Sequence, residues 1–253
     1  MTFLQPSSNM LSTAPVKISV YSAGAARSGM TSLAEAFFKE TGYVVNLTFA
    51  PVGAIVKRLA DGETTDIVVL TDRALEELVR QGKVVSDTVI EIGKVGVGIA
   101  VQAGMPAPDI STSAAFRQAI LAAKSLAYAD PAKGASSGIH FASVLEKMGI
   151  ADDVKEKCIC LTGGYEVAEF VAEGKAELGI QQISEIIPVK GVTLVGPLPS
   201  GLQKITTYAA GIMKAVSAPD IVASFLSFAA TPIAAHAFIT AGFSKCGSTT
   251  PTS

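Results

Sequence analysis

Arg27 stands in the small-residue stretch Ser22-Ala-Gly-Ala-Ala-Arg-Ser-Gly29 with no acid nearby in sequence. Its planar fork is therefore free to pair with a carboxylate, although an arginine facing solvent would look the same in sequence. A second stretch, Asp130-Pro-Ala-Lys-Gly-Ala-Ser-Ser-Gly-Ile-His140, combines backbone breakers, two serines and a histidine. Asp130-Pro131 ends the apolar run of residues 125–128, Gly134 and Gly138 permit unusual backbone angles, and Ser136 or Ser137 is placed to cap the helix that follows. The first free N–H groups of such a helix, with the positive end of its dipole, suit a bound anion. A capped turn that binds nothing would use the same residues. His140, in the first turn after Ser136-Ser137-Gly138, and Glu185, just past a strand, are the candidates for moving a proton. The plainer uses are packing for His140 and helix-dipole complementation for Glu185. Gln181 and Gln182 alternate at one strand end, so only one of them points to the ligand side; Gln182 is the expected one. Tyr165 and Tyr208 could donate hydroxyls there or simply pack.

The elements that must position these residues repeat one plan. Residues 17–21 read as a strand, which gives way to the Arg27 loop and a helix carrying Leu33, Ala34, Phe37 and Phe38, ended by Gly42. Residues 44–49 form the next strand, and Ala50-Pro-Val-Gly53 opens a helix with Ile55, Val56 and Leu59. Residues 66–70 form a third strand that turns at Thr71-Asp72 into a helix. Residues 95–101 are almost continuously apolar, and the punctuated connector 104–111 is where the chain is expected to enter a second lobe. Strand, loop and helix recur at 125–148 and 157–173; further strands follow at 176–182 and 192–195. Gly196-Pro-Leu-Pro-Ser-Gly201 reads as a rigid linker, after which the strand 205–213 returns to the first lobe. The expected division is lobe 1 at 16–101 and 205–244 and lobe 2 at 102–204, with flexible tails at 1–15 and 245–253. Such alternation gives an α/β fold with parallel strands, in which ligands sit beyond the carboxyl ends of the strands.

Composition narrows the function classes. The 253 residues carry a net charge of −2 without a basic cluster, so no electrostatic footprint for nucleic acid is present. Mean hydropathy is high at +0.44, but the apolar residues come in short blocks and no uninterrupted run of about 18 suggests membrane insertion. Cys158, Cys160 and Cys246 fit neither a disulfide framework nor a zinc pattern, and His140 and His236 lie far from them; no metal is expected. Residues 1–15 lack the basic start and apolar stretch of a secretory signal, so the expected compartment is cytoplasmic as written, or periplasmic if a signal was removed.

The order of the loops resembles the type II periplasmic-binding-protein fold, within it the group around the molybdate-binding protein of ABC importers. The resemblance covers roughly residues 16–243 and rests on Val20-Tyr-Ser-Ala-Gly-Ala25, Phe49-Ala-Pro-Val-Gly-Ala54, Thr65-Asp-Ile-Val68, Ala129-Asp-Pro131 with Ser137-Gly138, and Glu173-Gly-Lys-Ala-Glu-Leu-Gly-Ile180. It implies two lobes joined by a double crossing, and a cleft in which loop amides and hydroxyls at Ala25, Ala26, Arg27, Pro51, Val52, Gly53, Ser136, Ser137, Gly138, Tyr165 and Gln182 hold one small anion. It also implies a monomer that serves an ABC permease if exported, with no cofactor. Molybdate binders of this group usually place serines in the first two loops, where this chain has Ala25 and Pro51-Val52, and a tyrosine where it has Gln182. Fewer hydroxyl donors suit a tetrahedral dianion badly. Gly179-Ile-Gln-Gln-Ile-Ser-Glu185 with Gly196-Pro-Leu-Pro199 is closer to a subgroup similar to aconitate isomerase. Two expectations follow: a receptor for a small organic, carboxylate-like anion, or a cofactor-free isomerase of an unsaturated carboxylic acid with His140 or Glu185 as proton carrier.

Overall fold

A computed structural model describes residues 17–244; the expected tails, and with them Cys246, lie outside the described residues. The first lobe opens with β1 (Lys17–Ala23), α1 (Arg27–Thr41), β2 (Val44–Ala50), α2 (Val52–Ala60), β3 (Ile67–Thr71) and α3 (Asp72–Arg80). The long β4 (Ile90–Gln102) leads into α4 (Ser113–Ala122), β5 (Leu126–Ala129), α5 (Ser136–Lys147), α6 (Ala151–Val154) and β6 (Cys158–Leu161). The second lobe continues with α7 (Gly164–Ala172), β7 (Leu178–Gln182), α8 (Ile183–Ile186) and β8 (Val192–Pro197). The chain then returns through β9 (Ile205–Ile212) and ends in α9 (Pro219–Ala229) and α10 (Pro232–Thr240).

The strand order is β2-β1-β3-β9-β4-β7-β5-β6, with β8 also on β4. β1 lies parallel between β2 and β3, as β5 does between β7 and β6; β9 and β4 run antiparallel to their neighbours. β4 belongs to both lobes. It pairs with β9 as far as Gly96 and with β7 and β8 from Val97 and Gly98 onward. The change of pairing partner therefore falls inside β4, between Gly96 and Val97, ahead of the connector at 104–111. Its apolar run stays unbroken because both halves are buried, so no change of pattern marks the change of partner. Gln203 fills the gap at that point: its Oε1 accepts from Val97 N–H (2.9 Å) and its Nε2 donates to Val97 C=O (2.8 Å), as a neighbouring strand would.

Helices on both faces explain the continuous apolar strands. In β3, Ile67 and Val69 join the cluster of Met30, Leu33, Phe37, Phe225 and Phe238. Val68 and Leu70 face the other way, toward Ile55, Leu59, Leu75 and Leu78. Each such buried valine or leucine stabilises the fold by about 1.5–3 kcal/mol. The second lobe repeats this, with Leu126 and Tyr128 on the face of Phe116, Phe141 and Leu145, and Ala127 on that of Val167 and Val171. At the far end of the first lobe, Asp66 accepts from the N–H and hydroxyl of both Ser19 and Ser217 at 2.7–2.9 Å. Burial alone would raise its carboxyl pKa, but these four bonds outweigh it and the value is lowered. Among the described residues no single helix is long and apolar enough to cross a membrane.

Candidate functional site

Four strand-to-helix junctions meet at one cavity of about 250 Å³ between the lobes. Ala23–Arg27 and Phe49–Val52 come from the first lobe, with Ala54 beside them, and Ala135–Ser137 and Thr162–Glu166 come from the second. These junctions share a local property. The residues before α1, α2, α5 and α7 are Ala26, Pro51, Ala135 and Gly163, and none of them caps its helix with a side chain. Away from the cavity, Thr112 and Thr231 cap α4 and α10, while α3 and α9 also start without a side-chain cap. Uncapped starts turn the positive ends of the helix dipoles toward the cavity, with first-turn N–H donors that no side chain takes, although Arg27 N–H donates to Gly24 C=O and Gly53 N–H to Gly134 C=O. The expected capping role of Ser136 or Ser137 is thus corrected: Ala135 occupies the cap, and Ser136 Oγ is 3.1 Å from Tyr208 Oη and accepts from Gln182 Nε2 at 3.2 Å. The hydroxyl is spent on a bond across the lobes, from α5 to β9.

Arg27 occupies the first position of α1, where a cation is opposed by the dipole, so its place is not explained by helix stability. It makes no ion pair among the described residues. Its guanidinium carbon lies 5.1 Å from the ring centre of Phe49 and 4.5 Å from that of Tyr165, and its Nε is buried without a hydrogen-bond partner. Glu185 is 5% exposed and lines the same cavity. Its carboxyl lies between the junctions of the two lobes: a Cβ on Gly24 would come within 3.0 Å of Oε1, and one on Gly164 within 1.9 Å of Oε2. Only glycine at 164 leaves room for it. Burial pushes the Glu185 carboxyl up to about 7, against the opposing pull of the Gln182 backbone N–H and the Arg27 charge. Tyr208 is buried as well; desolvation first, and the Glu185 charge after it, raise its phenol above the ordinary range, so it is a proton donor at neutral pH. Among the described residues no group of three or more His, Cys, Asp or Glu side chains converges to hold a metal ion.

Of the expected site residues, Ala25, Arg27, Pro51, Val52, Ser136, Ser137, Tyr165, Gln182 and Glu185 line the cavity. Gln182 and not Gln181 faces it; Gln181 is buried on the opposite face of β7 with both amide ends unpaired. Ala26 is buried in the core behind the first junction. Gly53 and Gly134 approach each other across the lobes, with Gly53 N–H donating to Gly134 C=O at 3.3 Å. Gly138 is a packing residue, because a Cβ there would lie 1.7 Å from the Ala129 carbonyl oxygen. The structure places His140 away from the cavity lining. One helical turn past Ser136, it lies about 6 Å further along α5, outside the cavity lining, and its Nε2 is 2.7 Å from the Leu202 carbonyl. Burial lowers its pKa despite that bond. Phe49, Thr162, Gly164, Glu166 and Tyr208 also line it. The Thr162-Gly-Gly164 junction carries the same small-residue signal as the others; Phe49 has no such signal.

The matching folds share this arrangement of lobes. The periplasmic molybdate-binding protein of Azotobacter vinelandii superposes with a TM-score of 0.77 at 20% identity, covering 90% of this chain and 99% of that one. In sequence, the molybdate-binding protein of Escherichia coli is 24% identical over 90% of this chain and 88% of its own length. An aconitate isomerase from a Pseudomonas species is 33% identical over 94% of this chain and 92% of its own length. Residues 18–244, which span both lobes and every junction around the cavity, match the family of bacterial extracellular solute-binding proteins, and the chain belongs to that family, with its two-lobe type II α/β fold.

Proposed function

We propose that the cleft receives a small organic anion bearing carboxylate groups, as the solute receptor of an ABC importer does, with the two lobes closed around it. Arg27 carries this reading. A permanently charged fork, unpaired with any acid and set among uncapped helix starts, offers planar bidentate recognition of a carboxylate. The isomerase relative supports an organic acid over an oxyanion, as does the absence of serine from the first two junctions. Calorimetric titration with trans-aconitate tests it: binding by the native protein, weakened at least tenfold in Arg27→Met, is expected. Molybdate or sulfate binding in preference to every carboxylate offered would reject it.

Glu185 favours a second reading, the isomerase. A buried carboxyl pushed up to about 7 at the wall of the cavity has the pKa required of a proton carrier at neutral pH. As a carboxylate it would remove a proton from the carbon beside a substrate carboxylate. The resulting enolate would be held by Arg27 and the junction amides, and return of the proton at the far allylic carbon would move the double bond. The step is balanced, with one proton leaving and returning. Proton NMR of trans-aconitate in D2O with catalytic protein distinguishes the readings. Appearance of the cis isomer with deuterium uptake, lost in Glu185→Gln, makes the protein an isomerase; line broadening without turnover leaves it a receptor.

A further inference from the structure

We infer that Tyr165 is a positioning residue for Arg27: its ring, delivered from the second lobe, fixes the guanidinium plane so that the N–H edge meets the ligand's carboxylate only when the lobes are closed. The inference rests on the reading of Arg27 as the carboxylate fork and adds what orients that fork. Arginines that bind ligands are commonly held by a neighbouring acid, which consumes part of the donor edge. Here an ion pair is replaced by two aromatic faces. Phe49 stands at the end of β2 in the first lobe, the lobe of Arg27 itself, and its ring is 5.1 Å from the guanidinium carbon. Tyr165 stands in the first turn of α7 in the second lobe, and its ring is the nearer at 4.5 Å.

A ring quadrupole attracts the face of the cation and leaves its in-plane donors untouched. The buried, unpartnered Nε of Arg27 is one of those donors. Phe49 can hold the side chain in either state of the lobes, because both residues belong to one body. Tyr165 can reach it only across the closed cleft. The pair therefore joins binding to closure: an open cleft presents a loosely oriented cation, a closed one a fixed fork. The Tyr165 hydroxyl makes no hydrogen bond among the described residues, so the ring itself is the working part.

Three variants test this with trans-aconitate as the probe. Tyr165→Leu, which keeps bulk but removes the ring, is expected to weaken binding about tenfold, the loss falling mainly on the dissociation rate. Tyr165→Phe is expected to restore affinity to within about twofold of the native protein. Loss in Tyr165→Phe equal to that in Tyr165→Leu would assign the effect to the hydroxyl and overturn the inference, as would native affinity in Tyr165→Leu. If the native protein does not bind trans-aconitate, the functional reading fails, but the contact is still decided separately. The chain contains no tryptophan, so Tyr165→Trp creates a single reporter whose emission senses its cover. Adding Arg27→Met is expected to move that emission to longer wavelength; identical emission with and without Arg27 would show that the ring and the guanidinium do not meet, and the inference falls.

Discussion

At the scale of single residues, the cleft sets a buried acid, Glu185, near one base, Arg27. Glu185 is too deeply buried to ionise in its ordinary range, and Arg27 is too basic to lose its proton, so their near approach is tolerated while Glu185 remains free to titrate near 7. An arriving anion disfavours the ionised form further, so binding takes up a proton. Affinity for trans-aconitate is therefore expected to be highest below about 7 and to fall as pH rises through that value. The other titratable groups lining the cavity with Glu185 are Arg27, Glu166, Tyr165 and Tyr208; Glu166 accepts from the Thr162 N–H at 3.1 Å, and a neutral Tyr208 does not reverse the sign. Calorimetry in two buffers of different ionisation enthalpy counts the proton, and Glu185→Gln is expected to abolish the uptake. The folded protein also holds a proton here that the unfolded chain releases. This contribution is fully present below the ordinary glutamate value of about 4.3 and is lost as pH rises through about 7. A urea series across that range, compared with Glu185→Gln, measures it.

At the scale of elements, β4 is the part that must bend if the lobes move, since it is shared between them. A strand that changes partners leaves backbone groups unpaired at the junction, and at Val97 the Gln203 amide supplies both. Gly96 makes room for it, because a Cβ there would lie 3.0 Å from Gln203 Nε2. Gln203→Ala leaves the Val97 N–H without its partner, whereas Val97 C=O keeps the Leu198 N–H at 3.1 Å. A cost of about 1–3 kcal/mol is expected from the buried donor. Hydrogen exchange is the direct measurement: the Val97 amide should exchange at least tenfold faster in the variant, while amides of β1 and β3 should not change. Unaltered exchange at Val97 would mean that Gln203 has no part in holding the crossing.

At the scale of the whole molecule, the contacts that close the cleft are few and small. Ser136 meets Tyr208, Arg27 meets Tyr165, Glu185 fits between Gly24 and Gly164, and Gly53 meets Gly134. The last pair works because neither residue has a side chain. A Cβ on Gly53 would approach Gly134 Cα to 2.8 Å and the Lys133 carbonyl to 3.1 Å. Gly53 does not need a left-handed backbone, so alanine there is compatible with the first lobe alone. Gly53→Ala is therefore expected to hold the lobes apart without unfolding either one. Small-angle scattering should show a larger radius of gyration with ligand present, affinity should fall about tenfold, and the melting temperature without ligand should move by no more than about 2 °C. A native radius with native affinity would mean that this contact does not limit closure.

The elements were legible because they depend on near neighbours in the chain. Apolar blocks such as Ile67-Val-Val-Leu70 mark strands covered on both faces, glycines at 42, 149 and 174 stop helices, and small-residue junctions after β1, β2 and β5 mark where strands give way to helices. Arg27, Gln182 and Glu185 were legible as polar residues at strand ends, which the fold turns toward one cleft. What the sequence could not fix depends on distant partners. Ser136 reads as a cap until Tyr208, 72 residues away, takes its hydroxyl. His140 reads as a proton carrier until helix geometry and the Leu202 carbonyl draw it out of the cleft. Glu185 reads either as a proton carrier or as a first-turn acid complementing the dipole until the junctions at Gly24 and Gly164 close over it and burial raises its pKa to about 7. Periodicity and turn chemistry are local and are written in the chain; solvent exclusion, and with it the protonation and hydrogen bonding of the cleft, comes into being only when the lobes meet.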